Sequence, residues 1–218
     1  MFYSASDITA PGCTISGNNV TMPNGDGLSR ITIRTASVGA HVLRMAQGSG
    51  VPLLRSIRGY NRATPGIHFI NHGSGGATST NQAAVGNARL NNDSLGFDAP
   101  DLTIIRLGLN DNNSGVTSTQ FQANLAAIIT KARLTGDALI VNSNAANPTT
   151  FSSLAIQNEW RAAALATAVS MNVAYCDLRE AFGEWATVAA RTADNTVHPN
   201  RQFYADIGAL QAAAILAM

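Results

Sequence analysis

Charge is scarce in this chain of 218 residues, because only 12% of them are charged. The 14 basic and 13 acidic side chains give a net charge of +1, and Lys131 is the sole lysine. Nucleic acids and anionic membrane surfaces attract proteins through clustered positive charge. The sequence therefore gives no electrostatic reason to expect either of them as a partner.

Long apolar runs are also missing. No run approaches the ~20 residues that a membrane-spanning helix needs. Residues 1–7 lack the basic start and the apolar core of a signal peptide. We therefore expect a soluble protein. Its compartment is not predicted, because a secreted protein whose signal peptide had been removed would have the same sequence features.

Cysteine is rare as well. Cys13 and Cys176 are too far apart in sequence for a local metal pair, and two cysteines do not make a disulfide framework. Two buried thiols are expected, with a single disulfide as the alternative if the protein is secreted. No cluster of histidine, cysteine and acidic residues has metal-ligand spacing, so we expect neither a metal nor another cofactor.

The apolar fraction and the alternation of strand and helix patterns predict one α/β domain. An apolar fraction of 45% is enough for a sizeable core. Residues 1–29 are polar, with turn signals at 17–19 and 23–27, and are predicted to form an N-terminal arm or hairpin. From residue 30 to residue 218, strand patterns alternate with helical patterns, which predicts a single domain.

The predicted elements define the fold class. Strands are predicted at residues 31–36, 67–70, 102–107, 138–141 and 173–176, and helices at 40–46, 51–58, 80–89, 119–134, 152–171 and 202–218. Strands joined by helical crossovers must pair in parallel. We therefore predict a three-layer α/β/α sandwich around a mostly parallel five-stranded sheet. The continuous apolar run at 102–107 marks its central strand, buried on both faces.

Polar residues stand where these strands end, and in a parallel sheet those ends meet at one edge. Ser37 follows the first strand, Gly76 the second and Asn110 the third, while Asp194 and His198 precede the last helix. A serine, a histidine and a carboxylate are the parts of nucleophilic acyl transfer. The side chain of Asn110 and the N–H groups of Ser37 and Gly76 are candidates for stabilising an oxyanion.

Each of these residues also has an ordinary structural explanation. Ser37 suits a helix N-cap, and Gly76 suits a tight turn. Asn110 suits a turn, and His198 with Pro199 suits the start of a helix. Only the combination of all these residues at one edge favours a catalytic site.

Three stretches resemble motif blocks of the SGNH or GDSL-type hydrolases. Gly108-Leu-Asn-Asp111 resembles the block that supplies an oxyanion asparagine, and Asn71-His-Gly-Ser-Gly-Gly-Ala-Thr78 resembles the glycine block. Asp194-Asn-Thr-Val-His-Pro199 resembles the block of the catalytic acid and base. The resemblance runs from about residue 30 to the end of the chain. It implies the flavodoxin-like SGNH fold, with Gly76 and Asn110 in the oxyanion hole.

The chain departs from the family pattern at two places. The family's aspartate stands three residues before its histidine, but here that position is Asn195 and the carboxylate is Asp194, four residues before. We predict that Asp194 orients His198, with Asn195 as the alternative. The chain also has no Gly-Asp-Ser triplet, so the nucleophile block must be chosen between two stretches.

Gly25-Asp-Gly-Leu-Ser29 is similar to the family's nucleophile block, but Pro23 and Asn24 interrupt the strand that should precede it. Thr35-Ala-Ser-Val-Gly39 ends a predicted strand and precedes a predicted helix, so we predict Ser37 as the nucleophile.

The resemblance implies a serine esterase for acetyl or short-chain acyl esters, with acylated carbohydrates among the expected substrates. A non-catalytic carbohydrate- or ligand-binding module on the same fold is the alternative, because the nucleophile block is atypical. A different α/β-hydrolase arrangement is disfavoured, since the chain contains no Gly-x-Ser-x-Gly nucleophile elbow.

Overall fold

The computed structural model describes residues 64, 66–85, 95–96 and 98–218 and, in the earlier chain, four short strands. The chain divides into two compact units, residues 1–71 and residues 72–218. The predicted boundary between residues 29 and 30, the helices predicted at 40–46 and 51–58, and Ser37 all lie outside the described residues and stay predictions.

Two antiparallel strand pairs lie in the first unit. Strand β2 (Thr14–Ser16) pairs antiparallel with β3 (Asn19–Thr21), and both strands lie within the predicted N-terminal arm or hairpin, which stays a prediction. Strand β1 (Ile8–Thr9) pairs with β4 (Thr32–Ile33).

Two predicted strands differ from the structure. Strand β4 lies within the predicted strand 31–36, yet it pairs antiparallel with β1 rather than in a parallel sheet. Residues 67–70 form no strand, and the side chains of Ile67 and Phe69 are 83% and 85% exposed. A strand needs hydrogen-bonding partners for its backbone as well as suitable side chains. No described strand pairs with residues 67–70.

A parallel sheet lies in the second unit. Its strands are β5 (Leu102–Ile105), β6 (Asp137–Val141) and β7 (Ala174–Cys176), in the spatial order β5-β6-β7. All paired strands in it run parallel, as predicted. Within the described sheet β6 lies between β5 and β7, and the prediction that 102–107 is the central strand of the whole sheet stays a prediction. Ile104 of β5 is 39% exposed.

Six α-helices whose bounds are described accompany these strands. They are α1 (Ser79–Ala83), α2 (Ser118–Ala132), α3 (Leu154–Met171), α4 (Leu178–Phe182), α5 (Trp185–Val188) and α6 (Arg201–Leu216). A 3-10 turn at Ala189–Arg191 follows α5. The three long helices agree with the predicted ones, whereas α4 and α5 were not predicted because they are too short to show a helical period.

Alternate residues of β6 enter two separate hydrophobic cores. Ala138 and Ile140 pack in one cluster with buried residues of α2 and α3. Leu139 and Val141 pack in another with Phe203 of α6. Because side chains of a strand point alternately to opposite faces, helices cover both faces of the sheet. The predicted three-layer α/β/α sandwich is therefore confirmed, and three of its five predicted strands form the described parallel sheet.

Cys176, at the end of β7, is buried and its thiol is free, and Cys13 lies outside the described residues. Burial, and after it the nearby Asp177, raises the pKa of this thiol above its ordinary value. Among the described helices, none combines the length and the apolar character required to span a bilayer.

Candidate active site

The imidazole of His198 is held by the carboxylate of Asp194. Oδ2 of Asp194 contacts Nδ1 of His198, and Oδ1 accepts hydrogen bonds from the backbone N–H groups of Thr196 (2.9 Å), Val197 (3.0 Å) and His198 (3.2 Å). Hydrogen bonds from Thr196 and from His198 hold the pKa of the Asp194 carboxyl far below its ordinary value. The His198 side chain is 72% exposed, so a substrate can reach its ring.

Asn195, the alternative orienting residue, has a different position. Its φ is +54°, in the left-handed region that asparagine tolerates better than most residues. Its backbone carbonyl accepts a hydrogen bond from Nδ2 of Asn147 (3.1 Å). The left-handed turn at Asn195 takes up the extra residue between Asp194 and His198. The structure thus brings Asp194, and not Asn195, to the imidazole.

The segment that follows β6 fixes the loop that carries His198. The backbone N–H of Asn147 donates to the carbonyl of Thr196 (2.8 Å), and Nδ2 of Asn144 donates to the carbonyl of Val197 (3.1 Å). Nη2 of Arg106 in turn donates to Oδ1 of Asn144 (2.6 Å), and burial lowers the pKa of that guanidinium. Sequence reasoning missed these residues. The asparagine-rich stretch 142–147 directly after a strand was the available signal.

Asn110 lies against the glycine block. Its Nδ2 donates to the carbonyl of Ala77 (3.0 Å), directly after Gly76. Gly76 closes a turn in which the N–H of Ala77 donates to the carbonyl of Ser74 (3.1 Å), and its φ of +75° favours glycine. The predicted oxyanion residues Gly76 and Asn110 are therefore neighbours.

Gly108 lets this turn leave β5. Its φ is +109°, and an added Cβ would stand 3.1 Å from Cζ of Phe121 and 3.2 Å from Cδ1 of Trp160. Both the backbone conformation and the close packing require glycine there.

Two further residues hold Asp111, which follows Asn110. Its carboxylate accepts a hydrogen bond from the Ser79 hydroxyl (2.5 Å), and Nδ2 of Asn124 donates to that same hydroxyl (2.9 Å). Neither Ser79 nor Asn124 was singled out from the sequence, because both stand in helices whose sequence carries no motif.

His72, in the glycine block, forms an ion pair with Asp98, with 2.9 Å between Nε2 and Oδ2. It is the second histidine with a carboxylate partner in the described chain, and its ring is mostly buried.

A small cavity lies beside the Asn110 turn, with a volume of about 30 Å³. Gly108, Asn112 and Trp160 are among the residues that line it. The described residues contain no group of three or more histidine, cysteine or acidic side chains that could hold a metal ion.

Comparison with known proteins assigns the family. The model of the GDSL-like lipase/acylhydrolase family matches residues 35–205, which is most of the chain. No curated protein is similar enough in sequence to count as a relative. The protein thus belongs to the GDSL-like lipase/acylhydrolase family, and its α/β/α sandwich is the fold of that family.

Several solved structures are similar to this chain. TesA is 24% identical, with 50% of this chain and 58% of TesA covered and a TM-score of 0.41. YxiM from Bacillus subtilis is 19% identical, with 67% of this chain and 44% of YxiM covered and a TM-score of 0.49. A mutant of the esterase AlinE4 is 22% identical, with 68% and 76% covered and a TM-score of 0.41. This chain therefore spans less than two thirds of TesA and of YxiM.

Proposed function

We propose that this protein is a serine esterase that hydrolyses acetyl or other short-chain acyl esters through an acyl-enzyme. The observation that carries the proposal is the contact between the Asp194 carboxylate and Nδ1 of His198 in an exposed loop. A carboxylate at Nδ1 fixes the imidazole orientation and leaves Nε2 to exchange protons with a nucleophile and a leaving group. Membership of an acylhydrolase family supports the same reaction class.

Ser37 is the proposed nucleophile. His198 Nε2 removes the proton from the Ser37 hydroxyl while its oxygen attacks the ester carbonyl, and a tetrahedral oxyanion forms. The imidazolium then gives that proton to the leaving alcohol, which breaks the ester bond and leaves an acyl group on Ser37. Water attacks the acyl-enzyme with His198 again as the base, which releases the acid and restores the serine. Asp194 stabilises the imidazolium in both halves of the reaction.

Three groups are proposed to hold the oxyanion. They are the backbone N–H of Ser37, the backbone N–H of Gly76 and the side-chain amide of Asn110. An amide nitrogen carries two hydrogens, so the bond from Asn110 to the carbonyl of Ala77 leaves one for the substrate. Each donor of this kind typically contributes about 3 kcal/mol of transition-state stabilisation.

For the substrate, the proposal names a class of esters and not one compound. The family resemblance suggests esters of acetyl or other short acyl groups. Carbohydrates are one kind of alcohol that carries such groups, so acylated carbohydrates are included among the substrates. Acetate release from acetylated oligosaccharides, compared with release from 4-nitrophenyl acetate, measures whether a sugar leaving group improves kcat/KM.

Labelling tests the nucleophile. A fluorophosphonate probe followed by peptide mass spectrometry is expected to modify Ser37, and Ser37→Ala is expected to abolish both labelling and hydrolysis of 4-nitrophenyl acetate. Ser29→Ala is the matched control, since Ser29 belongs to the other candidate block and its loss leaves activity unchanged. Labelling of Ser29, or full activity in Ser37→Ala, contradicts the assignment.

A non-catalytic ligand-binding module is the second candidate. Thr35 and Ala36 stand where the family has Gly-Asp before its serine, and this departure favours a chain that has lost turnover. Such a module would bind an acylated carbohydrate saturably without releasing acid. Isothermal calorimetry together with an acetate-release assay separates the two functions, because His198→Ala abolishes release from an enzyme but leaves simple binding intact.

A further inference from the structure

The carboxylate of Asp111 joins two segments that are distant in sequence. Its side chain is 0% exposed. It accepts hydrogen bonds from the backbone N–H of Ser79 (2.9 and 3.1 Å to its two oxygens), from the hydroxyl of Ser79 (2.5 Å) and from the backbone N–H of Gly108 (3.2 Å). Among the described residues no cation pairs with it, and these neutral donors compensate for its burial.

Asn124 on α2 sets the direction of the Ser79 hydroxyl. Nδ2 of Asn124 donates to Oγ of Ser79 (2.9 Å), and a hydroxyl that accepts this bond has its own hydrogen left for Asp111. The amide of Asn124 is itself oriented, because its Oδ1 accepts a bond from Nε2 of Gln120 (2.9 Å). Ser79 is fully buried and Asn124 nearly so, which protects these bonds from competition with water.

The glycine block is consequently anchored at two points, both on the turn that follows β5. The carbonyl of Ala77 is bound by the side chain of Asn110, and Ser79 is bound by the carboxylate of Asp111. Gly76 stands one residue before the first anchor and three before the second. The position of the Gly76 N–H relative to Asn110 therefore depends on both anchors.

We propose that Ser79 and Asn124 are positioning residues of the oxyanion hole. Acting through Asp111, they hold the Gly76 N–H and the Asn110 side-chain amide at the spacing that one oxyanion requires. This inference rests on the proposed esterase function, since only that function gives the two donors a common target. A donor displaced by about 1 Å can cost on the order of 100-fold in rate, so a bond network that fixes the spacing has a direct effect on kcat.

Steady-state kinetics with 4-nitrophenyl acetate test this role. Ser79→Ala and Asn124→Ala are expected to lower kcat about 10- to 100-fold while KM changes less than about twofold, because the donors act mainly in the transition state. Thr80→Ala is the matched control. It removes the other oxygen to which Nδ2 of Asn124 donates (3.0 Å), and it is expected to leave kcat unchanged.

A merely structural role would give a different result. Loss of folded protein lowers the number of active sites, so kcat is calculated per site titrated with a fluorophosphonate. The affinity for a trifluoromethyl ketone, which forms an oxyanion-bearing adduct, is expected to fall in proportion to kcat in both variants. The double variant Ser79→Ala/Asn124→Ala is expected to lose little more than either single variant, since the two residues act in one chain of bonds. Unchanged kcat per site, or a loss seen only in KM, overturns the inference.

An activity-independent measurement separates this inference from the esterase proposal. The side-chain amide signals of Asn110, assigned in a ¹⁵N NMR spectrum by their loss in Asn110→Asp, are expected to shift and broaden in Ser79→Ala but not in Thr80→Ala. If the wild-type chain hydrolyses no ester, the esterase proposal fails while this shift still supports the positioning network. If the Asn110 signals are the same in Ser79→Ala and wild type, the network does not control Asn110 and the inference is wrong.

Discussion

The side chain of Asn110 donates a hydrogen bond to the carbonyl of Ala77, which ties the turn after β5 to the glycine block 33 residues earlier. This bond also fixes the direction of the Asn110 side-chain amide. Because one of its hydrogens is fixed on Ala77, the other points in a defined direction without a substrate present. A preorganised donor of this kind needs no reorientation when charge develops in the reaction.

We expect Asn110→Ala to lower kcat for 4-nitrophenyl acetate about 100- to 1,000-fold with little change in KM, as for the loss of one oxyanion donor. Asn113→Ala is the control, because it removes an exposed amide from the same loop. Equal kcat in Asn110→Ala and wild type would show that Asn110 is not an oxyanion donor.

We expect Asp194→Asn to lower kcat on the order of 10³- to 10⁴-fold, since an amide at this position no longer stabilises the imidazolium or selects its tautomer. Asn195→Gly changes the neighbouring residue without touching the imidazole, and glycine also accepts the positive φ of that position. It should retain activity. A larger loss in Asn195→Gly than in Asp194→Asn would make Asn195 the orienting residue.

Acid stability should depend on Asp194. The pKa of its carboxyl is lowered in the folded protein by hydrogen bonds from Thr196 and His198. A lowered folded pKa means that the unfolded chain binds more protons once the pH drops below the ordinary carboxyl value of about 4. The stabilisation is therefore complete above that pH and is lost as the pH falls toward the lower, folded pKa.

Urea unfolding of wild type and Asp194→Asn, followed by circular dichroism between about pH 5 and pH 2, measures this contribution. The free energy of unfolding of wild type is expected to fall more steeply with decreasing pH than that of the variant. Parallel pH profiles would show that this carboxyl titrates alike in the folded and unfolded chains.

Gly108→Ala should destabilise the protein more than Gly115→Ala. Both glycines have positive φ, but an added Cβ at Gly115 meets nothing within 4 Å, whereas at Gly108 it would stand 3.1 Å from the Phe121 ring. We expect a loss of about 1–2 kcal/mol for Gly115→Ala from the backbone alone and at least about 1 kcal/mol more for Gly108→Ala from overpacking. Calorimetry would detect this difference as a Tm lower by roughly 2–4 °C or more. Equal Tm values would mean that the two aromatic rings move aside freely.

The sequence predicts those parts of the molecule whose signals are local. The helical period of Phe121, Leu125 and Ile128 predicts α2, and all three side chains are buried. The polar turn after the apolar run of β5 predicts a polar side chain, that of Asn110, at this edge of the sheet. The four-residue spacing of Asp194 and His198 is also compatible with their contact, although only the structure reveals the left-handed residue between them.

The remaining differences depend on non-local partners. Residues 67–70 have the composition of a strand, but composition does not supply a neighbouring strand to pair with. The apolar run of β5 predicts a strand but not its neighbours in the sheet, because strand order is set by how crossovers pack. Ser79 and Asn124 were not predicted, because their proposed role depends on bonds that lead to the buried carboxylate of Asp111. Neither residue is close to Asp111 in sequence.

Strand β6 contributes to both hydrophobic cores, with Ile140 on one side of the sheet and Val141 on the other. Neither core can lose its packing without exposing a face of this strand. The two layers of helices in residues 72–218 should therefore unfold cooperatively, and the amide hydrogens of β6 should exchange with solvent only when this whole unit opens. The proposed hydrolase site uses the loop after β5 and the loop before α6. Cooperative unfolding keeps these two loops in fixed relative positions for as long as the unit is folded.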